Sequence, residues 1–163
     1  MYQVNKSILA AALISVGALA LSGCGQNADE AQTQATQGIA GMTVTNARLV
    51  LPAVAGNPAA VYFDLAYDGD KAVALSRVTV AGAESAEFHE YGEWAGKMQM
   101  QPMLPLPLKK GDKHSFAPGE QHVMAMNLSP DVTAGGKADV TISVSGGASQ
   151  TFAADVRAAG SER

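Results

Sequence analysis

The chain has 163 residues and a formal net charge of -4; hydrophobic residues make up 47% and charged residues only 16%. That suits one packed domain with a leader and a linker, and the mild acidity, without any block of Lys or Arg, gives no electrostatic basis for binding nucleic acid. The first six residues are polar and carry Lys6, and residues 8–21, ILAAALISVGALAL, form an apolar run. The run is short for a membrane span and has the length of a signal-peptide core.

The run closes on Leu21-Ser22-Gly23-Cys24. This resembles a bacterial lipoprotein box, which implies that residues 1–23 are a cleaved signal peptide and that Cys24 is lipidated. The resemblance further implies a cell-envelope protein with its domain in the periplasm. Gly25, rather than Asp, follows the cysteine, which in the Gram-negative pattern favours the outer membrane over the inner. Cys24 is the only cysteine, so a lipidated chain has no thiol left for a disulfide, a thiolate metal ligand or a redox pair.

Residues 24–41 comprise the lipidated cysteine and a flexible tether, because GQNADEAQTQATQGIAG is small and polar and lacks apolar periodicity. From Met42 the texture changes. VTNARLVL, AAVYFDLAY, AVALSRVTV, AEFHEY, KMQM, HVMAMNL, ADVTISV and QTFAADV are short and partly alternating, and they are separated by Gly, Asp, Asn and Pro. About eight short strands without a long helix predict an all-β antiparallel sandwich or barrel over residues 42–157, with 158–163 as a tail. The stretch Gln101–Leu108, QPMLPLPL, holds three prolines. It is expected to be an extended connection rather than a central strand, since proline offers no N–H to a ladder. Met103, within it, is expected to be mobile.

Methionine is unevenly spread. Of seven, Met98, Met100, Met103, Met124 and Met126 fall within residues 98–126, where His122 also lies, with His89 just before. Core filler would be distributed more widely. His122 and Met124, two apart on one strand, share a face about 7 Å apart. A β-hairpin centred between Trp94 and Ala95 places His89 directly across from Met100. A register shifted by two places Met98 there instead, and both registers stay open. Two imidazoles with two thioethers form a soft, neutral set that prefers Cu(I) and retains some capacity for Cu(II). Met98 and Met126 are candidate auxiliary ligands. His114, in a polar turn region after Lys113, is expected to be solvated, as are Glu84, Glu87, Glu90 and Glu93. No Gly-x-Ser-x-Gly elbow, phosphate loop or dinucleotide fingerprint occurs, so no catalytic residue is assigned and the chain is not expected to be an enzyme. A blue-copper electron carrier would need a Cys thiolate beside two His.

The order His89, ten residues, Met100, twenty-one residues, His122, one residue, Met124 resembles the periplasmic copper chaperones of the PCuAC family. AEFHE around His89, the Met-x-Met strand and the Pro-Gly before His-x-Met resemble it too. The resemblance spans residues 42–157. It implies a cupredoxin-like Greek-key fold with His89, Met100, His122 and Met124 as copper ligands. It also implies delivery to a copper-accepting protein such as a haem-copper oxidase subunit. The family often has Met directly after the first His; here Glu90 stands there, and it is not assigned as a ligand. Two other readings of the same residues are a copper-buffering or resistance lipoprotein and a metal-free envelope module with its methionines in the core.

Overall fold

The computed structural model describes residues 38–161. The expected leader and Cys24 lie outside them. Ten strands run in order: β1 (Met42–Val50), β2 (Ala59–Tyr67), β3 (Val73–Val80), β4 (Ser85–Trp94), β5 (Lys97–Pro102), β6 (Leu106–Leu108), β7 (Asp112–Phe116), β8 (His122–Met126), β9 (Lys137–Val144) and β10 (Ser149–Arg157). The described residues contain no helix. The all-β sandwich is therefore as expected, with more strands than the sequence pattern suggested.

Alternation drives the architecture. Along β2 buried and half-buried residues alternate without a break, so Ala59, Val61, Phe63, Leu65 and Tyr67 face inward. β9 does the same with Ala138, Val140, Ile142 and Val144. Period-two burial is what a sheet with one covered face requires. Aromatic rings fill the centre, with Phe63 stacked on Phe116 at 4.4 Å between centroids and Phe88 tilted against Phe116 at 5.6 Å.

The sheet order is β5-β4-β8-β2-β1-β10-β9-β3-β6, with β7 also paired to β2. β3, near one end, packs against β4 and β8, near the other, without pairing to them. The sheet thus curls over into two layers around one core. The ladders are antiparallel except that β1 and β10 run parallel. This departs from the purely antiparallel expectation, and its cause is non-local: the last strand returns to lie beside the first.

The proline-rich stretch is more ordered than expected. Gln101 and Pro102 end β5, and Leu106–Leu108 pairs with β3 as an edge strand. Both strands lie at the ends of the sheet order, where a missing N–H leaves no gap in an interior ladder. Met103, expected to be mobile, packs against the core, and its N–H donates to the Phe88 carbonyl at 2.9 Å.

A candidate metal site on the outer face of the sheet

Three neighbouring strands, β5, β4 and β8, build the site. On β8, Val123 and Ala125 are fully buried in the core, which turns His122, Met124 and Met126 to the other face. On β4, Phe88 points into the core and His89 away from it. The β4–β8 ladder sets His89 directly opposite His122, and Glu87 opposite Met124. Sequence reasoning did not supply the His89–His122 pairing, because nothing local to either strand fixes it. The two rings lie 6.1 Å apart between centroids.

The β4–β5 hairpin differs from its expected register. Trp94 pairs with Lys97, and the turn falls on Ala95 and Gly96, with φ of 53° and 76°. Two positive φ values define the turn type that matches strand twist. Glycine adopts one without strain, and Ala95 takes the other. The centre therefore lies one residue later than expected. Pro102, not Met100 or Met98, stands across from His89, and Met100 stands across from Tyr91. The face is nonetheless preserved, because the shift in pairing is even. Met100 becomes the diagonal neighbour of His89, and its Sδ reaches His122 Nε2 at 3.1 Å.

The donor atoms have a defined state. His122 Nδ1 lies 2.8 Å from the Glu120 carbonyl oxygen. A carbonyl only accepts, so Nδ1 carries the hydrogen, and a neutral ring presents its lone pair at Nε2. That lone pair meets a thioether lone pair. Such a contact is repulsive unless a proton or a cation lies between the two atoms. Both ring nitrogens of His89 are buried without a hydrogen-bond partner, and the nearest charge, Glu87 Oε2, is 3.6 Å from Nε2, beyond hydrogen-bond reach. Buried polar atoms without a protein partner are uncommon and costly, and a water or a ligand ordinarily satisfies them.

The carbonyl that orients His122 comes from a tight turn. The Glu120 N–H donates to the Ala117 carbonyl at 3.0 Å, with Pro118 and Gly119 between them and Gly119 at φ 82°. Proline then glycine at these positions is the signature of a type II turn. Tyr91 and Tyr62 flank His122, with ring centroids 5.8 and 6.4 Å away.

The remaining candidates separate cleanly. Met124 is half-buried beside His122 on the same face. Met98 lies on that face two residues beyond Met100, across from Glu93, and Met126 lies two beyond Met124, across from Ser85. Glu90 has the parity of Phe88 and points away from the site. His114 is half-buried on β7, paired with Leu65 and far from this ladder. Among the described residues, no three His, Cys, Asp or Glu side chains gather into a metal-binding group. The donors that converge here are imidazole and thioether.

The fold and this face define an all-β domain with a soft-donor cluster set on the outside of its sheet. The sequence matches the LpqE-like family, whose description includes the word lipoprotein, over residues 42–156. The chain belongs to that family. Among curated proteins none matches. Among solved structures the fold is similar to a copper-bound PCuAC domain from PmoF2, at TM-score 0.60 and 22% identity over 74% of this chain and 95% of that one. It is also similar to the apo form of the PmoF2 domain, at TM-score 0.63 and 20% identity over 77% and 96%. A third likeness is the Cu(I) form of DR1885 from Deinococcus radiodurans, at TM-score 0.56 and 22% identity over 78% and 85%.

Proposed function

We propose that this chain is a copper carrier of the bacterial cell envelope, binding Cu(I) through His89, Met100, His122 and Met124 and passing it to a copper-accepting protein. The observation that carries this reading is the 3.1 Å approach of His122 Nε2 to Met100 Sδ beside the unpartnered nitrogens of His89. These neutral donors lie on one face of neighbouring strands, and their softness favours Cu(I) over Zn(II), Mg(II) or Ca(II). The imidazoles allow Cu(II) as a second guest. The solved PCuAC domains of the same fold include copper-bound forms, which supports copper as the metal. Weakly basic donors on an open face suit exchange rather than catalysis. Lipid attachment at Cys24 and an oxidase subunit as the acceptor complete the proposal.

Competition titration with a chromophoric Cu(I) chelator tests it. The wild-type chain should bind one Cu(I). His122→Ala should lose more affinity than the roughly 10–100-fold that removing an outer-shell partner costs, while far-ultraviolet dichroism stays that of a folded sheet. A wild-type chain that leaves all copper with a micromolar-strength chelator would sink the reading.

A further inference from the structure

Exposure is graded across the site. His122 is 4% exposed, the His89 side chain 12%, Met100 43% and Met98 66%. The imidazoles are the buried end of the site, and the thioether end opens to solvent at the hairpin. Met100 is the most exposed of the four proposed ligands, so the route past it is the most open one. The next soft donor on that path is Met98. It shares the face of Met100, and two strand residues separate their Cα atoms by about 7 Å. Both are flexible side chains with polarisable sulfur. Met98 also stands on β5, at the end of the sheet order, where an acceptor meets no further strand. Met126, at the other end of the face, is half-buried on β8 between β4 and β2 and lacks this access.

We propose that Met98 is the exchange ligand of this site: a thioether that binds copper during transfer and not at rest. The inference rests on the copper-binding reading and adds a route to it. In transfer to an acceptor with nitrogen donors, a bond from Met98 sulfur to copper forms as the Met100 bond breaks. The acceptor's nitrogens then replace His89, His122 and Met124, whose bonds to copper break in turn, and displace Met98 last. Copper remains Cu(I) throughout, and no proton or electron moves.

The test loads the full-length chain with Cu(I) and mixes it with bicinchoninate in stopped flow, alongside an equilibrium titration. Met98→Leu should leave the affinity within about twofold and slow transfer roughly tenfold, the effect of losing one contact in the transition state. Met126→Leu should alter neither. Equal transfer rates for wild type and Met98→Leu would overturn the inference while the copper-binding reading stands. A parallel loss of affinity in Met98→Leu would overturn it too, by making Met98 a resident ligand. Failure of the wild type to bind Cu(I) at all would overturn the site and the route together.

Discussion

The two faces of β4 and β8 use adjacent residues for opposite ends. Inward, Phe88, Val123 and Ala125 pack into a core built of apolar contacts alone. Outward, His89, His122 and Met124 carry atoms with lone pairs and, at His89, no hydrogen-bond partner. Methionine makes the same contrast between regions: Met42 and Met103 pack in or against the core, while Met98 and Met100 stand exposed at the hairpin. Side-chain identity does not decide the role; strand parity does. The consequence is that stability and metal affinity should separate under mutation.

Substituting the core should break one side of that separation. Phe63→Ala removes a fully buried ring stacked on Phe116 and is expected to cost about 3–5 kcal/mol of stability, measured by urea unfolding. Whatever fraction remains folded should retain wild-type Cu(I) affinity. A folded Phe63→Ala chain with greatly weakened binding would show that the faces are coupled.

On the other side, Met100→Leu keeps the volume and apolar character of a half-exposed position and deletes the sulfur facing His122. Affinity for Cu(I) should fall about tenfold, or 1.4 kcal/mol, with the unfolding midpoint unchanged. If Met98→Leu has the larger effect on affinity, the observed hairpin register does not set the ligand.

The smallest effect concerns neither face's specialised role. Asp64 accepts hydrogen bonds from the Asn46 side chain at 2.7 Å and the Ser115 hydroxyl at 2.9 Å. These bonds, first that from Asn46, with a lesser contribution from Arg48, hold its carboxyl below the usual value of 3.8. A depressed carboxylate stabilises the fold above its unfolded pKa, and that contribution is lost as pH falls through the folded value. The site is solvent-screened, so Asp64→Asn should cost only about 0.5 kcal/mol at neutral pH. The difference from wild type should shrink on acidification below the ordinary carboxylate range. A gap that widens in acid would reverse the sign assigned to Asp64.

Much of the site was legible because it depends on local parity. His122 and Met124 had to share a face once β8 was a strand, and the run from His89 to Met124 pointed to residues that the structure places on one face. What escaped was set by backbone conformation or by distant pairing. Ala95 adopts a positive φ, a state that no alanine advertises, and it moved the hairpin centre by one residue. The His89–His122 pairing and the parallel β1–β10 ladder join strands far apart in the chain, and neither is encoded by a neighbouring turn. The prolines marked an interruption correctly, but edge strands tolerate them, so β6 formed where only a connection was expected.

The even pairing shift in the β4–β5 hairpin has a consequence for communication with a partner. The candidate donors ride on three hydrogen-bonded strands, of which β4 and β8 turn their other side into the core while β5 is exposed along its whole length. On the copper-binding reading, a bound ion stabilises the chain by mass action on the folded state, and β5 is the strand with least packing to hold it in place. On that reading, an acceptor that must tell a full carrier from a spent one looks to the exposed hairpin end of the face.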